Sequence, residues 1–149
     1  MRFPVLLTAL CFLTSAIGCG SSDKWKDSRP KTVEASGTIT LDGKPLDEAQ
    51  IVLVPEGSAL AGAALSDTSG GFSLAAFPPD PGVVPGTYKV MVVKSIVPQN
   101  PDPNDPESES IQYAKALIPA KYSDATTSGL TVTVSDNGTT DLKLELSEE

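Results

Sequence analysis

The chain has 149 residues, with 11 Lys and Arg against 19 Asp and Glu for a net charge of -8, and it contains two Cys and no His. This length allows one domain of ordinary size, and the acidic balance argues against a nucleic-acid partner, because phosphate binding needs clustered basic residues. Without His there is no Ser-His or Cys-His nucleophile, and two Cys cannot complete a four-cysteine zinc site.

The first 18 residues have the composition of a signal peptide. Arg2 supplies a positive charge, and a mostly apolar stretch of about 14 residues follows from Phe3 to Ala16. That stretch is too short to span about 30 Å of hydrocarbon as a helix. We therefore expect it to be a cleaved signal and not a membrane-spanning segment.

The run Ala16-Ile17-Gly18-Cys19 resembles the lipobox of bacterial lipoproteins. The resemblance implies that residues 1–18 are removed and that Cys19 becomes a fatty-acylated first residue, carrying chains such as palmitate. Gly20 after the Cys, in place of Asp, favours the outer membrane over the inner one. The alternative is an ordinary secretory signal with an incidental Cys.

The composition of residues 19–32 predicts a lipidated Cys followed by a flexible tether. This segment holds four basic residues against two acidic ones, whereas the chain after it holds six against 17. Lys24, Trp25 and Lys26 lie close to the expected lipid, where Trp favours the interfacial zone and Lys favours anionic headgroups. We expect these three residues to contact the membrane; a solvated linker without that contact is the alternative.

From residue 33 onward the pattern is typical of strands. Val33 to Asp42 alternates apolar and polar residues, which predicts a half-buried strand, and Asp42-Gly43 predicts a tight turn. Ile51 to Val54 is apolar on both faces, as in a central strand, within a predicted strand over residues 49–55. The other predicted strands are residues 63–66, 72–76, 87–94, 130–134 and 142–146.

Turn signals separate these seven strands. Asp67 to Gly71 predicts a hairpin loop, Asp136-Asn137-Gly138 predicts another turn, and Ser110 to Ile118 is the one segment with helical spacing of apolar residues. Seven strands with turns between them predict an all-β fold, an antiparallel β-sandwich. The pattern alone leaves a barrel open as the alternative.

Several stretches of the body carry strand and turn motifs in a recognisable order: Val33-Glu-Ala-Ser-Gly-Thr-Ile-Thr-Leu-Asp-Gly-Lys-Pro-Leu46, Ala49-Gln-Ile-Val-Leu-Val-Pro55, the loop Asp67–Phe72 and Pro85-Gly-Thr-Tyr-Lys-Val90. With these motifs, residues 33–147 resemble the carboxypeptidase regulatory-like domain. The stretch from Ile118 to Leu130 is similar to small lipoproteins of this type in planctomycete-like bacteria. The family implies a transthyretin-like (prealbumin-like), seven-stranded Greek-key sandwich and says little about function.

No residue of the body is expected to be catalytic. Asp67-Thr68-Ser69-Gly70 is similar to an aspartic-protease motif, but those enzymes need a pair of carboxylates and this chain has one copy. The hydrolase activity known in the transthyretin-like superfamily depends on His, which this chain lacks. We therefore expect a protein that is not an enzyme and needs no cofactor.

The acidic, Pro-rich stretch from Pro98 to Ser110 is the most distinctive segment of the chain. Carboxylate oxygens are ligands that calcium accepts, but the order and the glycine of an EF-type loop are missing. A solvated acidic loop is the favoured interpretation and a calcium site is the alternative. The candidate metal ligands are Asp102, Asp105, Glu107 and Glu109.

These patterns predict a non-enzymatic lipoprotein, anchored to a membrane of the bacterial cell envelope and facing the periplasm or the exterior. Its partners are expected to be the membrane, through the lipid, and an envelope protein or glycan. The alternative is a carbohydrate- or calcium-binding sandwich that uses its end loops. Sugar-binding sandwiches usually present aromatic platforms, and outside the tether the tyrosines that could serve are Tyr88, Tyr113 and Tyr122.

Overall fold

The computed structural model describes residues 28–57, 59–96 and 115–149, which form strands and one short 3-10 helix. The elements of these ranges follow in the order β1 (Ala35–Leu41), β2 (Lys44–Pro45), β3 (Gln50–Pro55), β4 (Gly62–Leu65), β5 (Gly71–Ser73), β6 (Gly86–Val93), β7 (Ser95–Ile96), β8 (Lys115–Ala116), the 3-10 helix (Ala120–Ser123), β9 (Thr131–Val134) and β10 (Thr139–Leu146). Each of the seven predicted strands has a counterpart, and the all-β prediction is confirmed.

The strands form two four-stranded sheets and a small ribbon. In the first sheet, β1 pairs with β10 on one side and with both β2 and β5 on the other. The second sheet has the order β4-β3-β6-β9 and is antiparallel throughout. Because β3 has a neighbour on each side, its predicted central position is confirmed. The ribbon pairs β7 with β8.

One pair of strands departs from the antiparallel prediction. Strands β1 and β10 run parallel, with Gly37 opposite Leu142 and Leu41 opposite Leu146. A hairpin forces its two strands to be antiparallel, but β1 and β10 are separated by most of the body and no hairpin joins them. The two strands are parallel because β10 begins beside the start of β1, with Thr139 opposite Ala35.

The predicted loops connect strands in two different ways. Asp42 and Gly43 both have positive φ, 48° and 76°, as a two-residue hairpin turn between β1 and β2 requires. The Asp67–Gly71 loop, in contrast, leads from β4 of the second sheet to β5 of the first. The predicted hairpin loop is present, because the Asp67 N–H donates to the Gly71 carbonyl at 2.8 Å and Ala63 pairs antiparallel with Ala75, but its two strands belong to different sheets. The Asp136–Gly138 turn likewise leads from β9 in one sheet to β10 in the other.

The two sheets are joined along one side and separate along the other. On the joined side, Ala63 and Ala75 exchange two backbone hydrogen bonds of 2.9 Å, which connect β4 to the chain just after β5. On the other side lie β9 and β10, which do not pair with each other. In the ranges that the structure describes, the strands therefore do not close into a barrel.

The inward side chains of both sheets form one apolar core. In β10 the alternation is complete, because Leu142, Leu144 and Leu146 are buried while the residues between them are exposed. Tyr88 of β6 is fully buried, as its place in the alternation predicts. All described core residues lie between Ala35 and Leu146, so the predicted tether contributes none of them.

The predicted helix over Ser110 to Ile118 is wrong where the structure describes it. Lys115–Ala116 forms strand β8, and the Leu117 N–H donates to the Lys94 carbonyl at 2.9 Å. Residues 110–114 lie outside the described part. The backbone of β7 offers hydrogen bonds to this segment, and such pairing overrides a weak local preference for helix.

One buried hydroxyl holds a loop of the first sheet against the second. Ser66 Oγ donates to the Leu46 carbonyl at 2.7 Å and accepts from the Ala49 N–H at 2.9 Å. Ser66 itself is 3% exposed. The loop between β2 and β3 therefore depends on this side chain for two of its backbone hydrogen bonds.

Candidate interaction surface

The residues predicted to anchor the chain or to bind calcium all lie outside the described part. They are Cys19, Lys24, Trp25, Lys26, Asp102, Asp105, Glu107 and Glu109. What the structure gives is the position of described residues close to them: residues 28–32 at the end of the predicted tether, and Ile96 and Lys115 on either side of the acidic segment.

The described end of the tether lies against the body. The Arg29 guanidinium is 4.8 Å from the centre of the Phe77 ring, and its Nη1 atom is 3.2 Å from the Asp80 carboxylate. Val33 and Val83 then exchange backbone hydrogen bonds of 2.8 and 3.0 Å. The chain from the predicted lipid therefore enters the body beside the loop 77–83, at the start of β1.

The described residues that flank the acidic segment lie at the opposite end of the body. The bridge between Val33 and Val83 places the start of β1 next to the approach to β6, and β1, β6 and β10 all run away from that end. The ribbon β7–β8 follows β6, so Ile96 and Lys115 lie at the far end. The strands therefore separate Arg29 from Ile96 and Lys115, the described residues that flank the acidic segment.

An ion pair fixes the loop before β3 at this far end. Lys94 Nζ donates to the Asp47 backbone carbonyl at 2.7 Å and also contacts the Asp47 carboxylate. The Lys94 side chain is 14% exposed. The hydrogen bond from Lys94 and its positive charge lower the pKa of Asp47. The pair ties the end of β6 to the loop that precedes β3.

Strand β10 presents a long free edge. It has eight residues and pairs with β1 on one side, and no described strand pairs with its other side. Asp141, Lys143 and Glu145 are exposed on its outer face. An open edge of this length is a template for adding another strand, and alternating charges are a common means of limiting which strands are accepted. Strand β9, the neighbouring open edge, has only four residues.

Tyr122 of the 3-10 helix holds the end of β10 in place. Its hydroxyl accepts the Ser147 N–H at 2.9 Å and lies 3.3 Å from the Ser147 carbonyl. Burial acts to raise the pKa of Tyr122, but the hydrogen bonds with Ser147 and the charge of Lys121 outweigh it, so the pKa is lowered. Tyr122 is 4% exposed and is therefore a packing residue.

The described tyrosines do not form a sugar platform. Tyr88 is fully buried, and its hydroxyl donates to the Val84 carbonyl. Burial raises the pKa of Tyr88. Because Tyr122 is also buried, neither ring presents a face to solvent, and Tyr113 lies outside the described part. The carbohydrate alternative therefore gains no support from Tyr88 or Tyr122.

A shallow groove of about 630 Å³ follows the outer face of β5, β1 and β10. Its polar lining consists mostly of short side chains, and its residues include Ser36, Thr38, Ser73, Asp67, Asp141 and Lys143. Phe72 also lines it, but that ring is buried. The groove therefore offers hydrogen-bonding groups, the acidic Asp67 and Asp141 and the basic Lys143, but no exposed aromatic ring.

Asp67, which resembles a protease motif in sequence, serves its own turn. Its Oδ1 atom accepts from the Ser69 hydroxyl at 2.6 Å, from the Ser69 N–H at 2.8 Å and from the Gly71 N–H at 2.9 Å. These hydrogen bonds from Ser69 and Gly71 lower the pKa of Asp67. The carboxylate is therefore an ionised acceptor that shapes the loop.

The outer face of the second sheet carries an apolar patch. Leu65 is 66% exposed and Val54 is 36% exposed. The patch consists of Val52, Val54, Ala63, Leu65, Met91 and Val93, which alternate with inward-facing neighbours. The sequence showed β3 to be apolar on both faces, and in the described part of the chain its second face is partly open to solvent.

Within residues 28–57, 59–96 and 115–149, three or more acidic, Cys or His side chains nowhere come together in a way that could hold a metal ion. In the same ranges no helix has both the length and the apolar character needed to cross a membrane. Comparison of the chain with protein-family models, curated proteins and solved structures finds no match. The geometry of the described residues alone therefore points to the candidate surface, the β10 edge.

Sequence reasoning did not single out Lys143 and Glu145, the charged residues of this edge. The alternation from Leu142 to Leu146 was visible, and it correctly separated buried leucines from exposed charges. That alternation is the same for a central strand and an edge strand with one face in solvent. The position of β10 at the edge follows only from the pairing of distant segments.

Proposed function

We propose that this chain is a membrane-anchored lipoprotein of the bacterial cell envelope, without catalytic activity, whose body binds a partner. In this proposal the body is a seven-stranded Greek-key sandwich of the carboxypeptidase regulatory-like type. Two observations support that fold: β5, β1 and β10 form one sheet and β4, β3, β6 and β9 the other, and the chain crosses between the sheets after β4 and after β9.

The lipid anchor is supported by the signal-like segment ending at Cys19 and by the geometry of the described chain after it. Ten residues lead from Cys19 to Arg29, which contacts Phe77 and Asp80 of the body. Such a tether reaches about 30 Å when fully extended and roughly 17 Å as a flexible coil. The body is thereby held close to the membrane, and Ile96 and Lys115, the described residues that flank the acidic segment, lie at the opposite end.

The observation that carries the binding function is the open edge of β10. Main-chain groups of an edge strand can bind an added strand, and the side chains beside them select the partner. Two sets of contacts hold β10 in place: the ladder with β1 along its length, and the hydrogen bond of Tyr122 with Ser147 at its end. An edge held in this way is already ordered for pairing, which lowers the entropic cost of binding.

The absence of catalysis in this proposal is supported by the state of three loop carboxylates. The pKa values of Asp47, Asp67 and Asp124 are all lowered, by hydrogen bonds from Lys94 and from hydroxyl and N–H groups of their own turns. A general acid or base works best with a pKa near the working pH. These carboxylates are instead strongly ionised acceptors that stabilise loops.

The anchor is tested by replacing each of the two cysteines. Cys19→Ser is expected to prevent acylation and to move the chain from the membrane fraction to the soluble fraction. Cys11→Ser is the matched control, because it lies in the segment expected to be removed, and it should leave fractionation unchanged. Mass spectrometry of the purified wild-type N-terminus should show an acylated residue 19, and a free thiol there would contradict the proposal.

The membrane contact of the tether is tested separately, in the Cys19→Ser chain. Replacing Lys24, Trp25 and Lys26 together by Ala is expected to reduce binding to vesicles containing anionic lipid. Replacing the exposed Lys44 and Lys115 of the body is the control and should change binding less. Equal binding before and after the tether substitutions would show that the tether is only a linker.

A further inference from the structure

The backbone groups of β10 point in two directions, some toward β1 and the others toward the free edge. The Leu146 carbonyl accepts the Asp42 N–H at 2.9 Å, so the backbone groups of Leu146 point toward β1. Successive residues of a strand direct these groups to opposite sides. The backbone groups of Leu144 therefore also point to β1, whereas those of Lys143 and Glu145 point to the free edge.

The charges on this edge are complementary to a second copy of themselves in one antiparallel register. With a two-fold axis at Leu144, Lys143 lies opposite Glu145 of the second copy, and Glu145 lies opposite its Lys143. Both residues direct backbone groups to the edge, so each such pair can exchange two backbone hydrogen bonds. On the inner face, Leu142 comes opposite Leu146 of the second copy.

The neighbouring registers are less favourable. An axis at Lys143 places Lys opposite Lys and Asp141 opposite Glu145, and like charges directly opposite each other destabilise a sheet. An axis at Leu142 pairs Asp141 with Lys143, but it falls on the irregular part of β10, where the ladder shifts between Thr139 and Leu142. The regular stretch from Leu142 to Leu146 therefore selects the register at Leu144.

We propose that two copies of this chain pair through their β10 edges, antiparallel, about a two-fold axis at Leu144. This rests on the proposed strand addition at β10 and does not depend on the lipid anchor. The first sheets of the two copies then form one continuous sheet, and the two tethers leave from opposite ends of the pair. Both anchors reach one membrane when the strands lie along its surface.

The pairing is expected to be weak in dilute solution. Its contact is one strand edge of about five residues, which is smaller than the standard protein interface of about 1,600 Å². Anchoring in one membrane raises the effective concentration of the copies and favours the pair. The alternating charges of Lys143 and Glu145 then make the pairing selective. They favour the β10 edge of a second copy and disfavour strands with another order of charges.

Charge exchange on the exposed face tests the proposal without disturbing the core. The full chain in a nonionic detergent is studied by sedimentation over a concentration series that extends to the millimolar range. Lys143→Glu and Glu145→Lys each place like charges opposite one another at both contacts. Each is expected to weaken self-association at least about tenfold, and the double variant K143E/E145K is expected to restore it.

A mixture of the two single variants is the decisive measurement. Neither variant should self-associate, whereas their mixture should, because the two acidic side chains of the Lys143→Glu edge then face the two basic side chains of the Glu145→Lys edge. Asp141→Lys is the matched control, since Asp141 has no charged residue opposite it in this register. A larger effect of the control than of Lys143→Glu would overturn the register.

The pairing would be overturned if the wild-type chain stayed monomeric. It would also be overturned if the charge exchanges at Lys143 and Glu145 left self-association unchanged. The anchor has a separate readout in the Cys19→Ser fractionation. A monomeric chain that still reaches the membrane through Cys19 therefore rejects the pairing alone and leaves the proposed anchoring intact.

Discussion

At Gly37 of β1 the backbone of β10 leaves no room for a side chain, and this position gives the sharpest prediction about the fold. A Cβ atom on Gly37 would lie 2.1 Å from the Leu142 carbonyl oxygen and 2.7 Å from the Leu142 Cβ. Ordinary contacts of this kind are 3.4 Å or longer, so Gly37→Ala requires the two strands to move apart by about 1 Å. The carbonyl oxygen and carbon of Leu142, two of the three nearest atoms, belong to the backbone and cannot rotate away.

The expected cost follows from two contributions. Overpacking of this severity destabilises by about 1–3 kcal/mol, and each ladder hydrogen bond that lengthens beyond reach adds about 1 kcal/mol. We therefore expect Gly37→Ala to lower the free energy of unfolding by about 3 kcal/mol or more. That is a large part of the 5–15 kcal/mol typical of a whole domain.

Gly57 is the matched control for this substitution. Apart from its two chain neighbours, no described residue has an atom within 4 Å of a Cβ built on Gly57, and the φ of Gly57 is outside the left-handed region. Gly57→Ala should therefore be neutral or should stabilise by up to about 1 kcal/mol, because Ala reduces the entropy of the unfolded chain. Both substitutions replace Gly by Ala. Gly37→Ala is expected to lower the free energy of unfolding, whereas Gly57→Ala is expected to leave it unchanged or to raise it.

Urea unfolding followed by far-ultraviolet circular dichroism measures both effects. Similar slopes of free energy against urea concentration would show that the variants unfold from comparably compact states. A Gly37→Ala variant within about 0.5 kcal/mol of the wild type would refute the close approach of β1 and β10. Equal destabilisation at Gly57 would point to glycine itself, and not to the Leu142 contact, as the cause.

Three further predictions use the same unfolding assay. Ser66→Ala deprives two buried backbone groups of their partner and should lower the free energy of unfolding by about 2–4 kcal/mol. The control Ser73→Ala, at an exposed position, should change it by less than about 0.5 kcal/mol. Equal effects of the two substitutions would contradict the role of the buried hydroxyl. Tyr122→Phe removes the hydrogen bonds to the chain after β10 and should cost about 1 kcal/mol, and an unchanged midpoint would show that they contribute nothing. The lowered pKa of Asp67 means that its carboxylate stabilises the fold above its unfolded pKa near 4, and that this stabilisation is lost as the pH falls through the folded pKa. The stability difference between wild type and Asp67→Asn should therefore shrink as the pH falls below about 4; a constant difference would contradict the assignment.

The candidate site divides into a part that sequence reasoning reached and a part that it did not. Cys19, the tether residues and the acidic segment carry local signals in composition, and they stay predictions because they lie outside the described residues. The β10 edge carries no signal of its own. Lys143 and Glu145 are charged residues on a solvent face, as in many strands, until the pairing shows which side of the strand is free.

The sequence alone determined which segments are strands and which side chains face inward, because a period of two is a local property. It also determined the turn at Asp42-Gly43, where two successive positive φ values suit this residue pair. Only the tertiary structure decided that β1 and β10 are parallel, that the Asp67 loop joins two sheets and that β10 has a free edge. Each of these depends on which distant strands pair, and strands with the same alternation compete equally for a neighbour until the whole core is assembled.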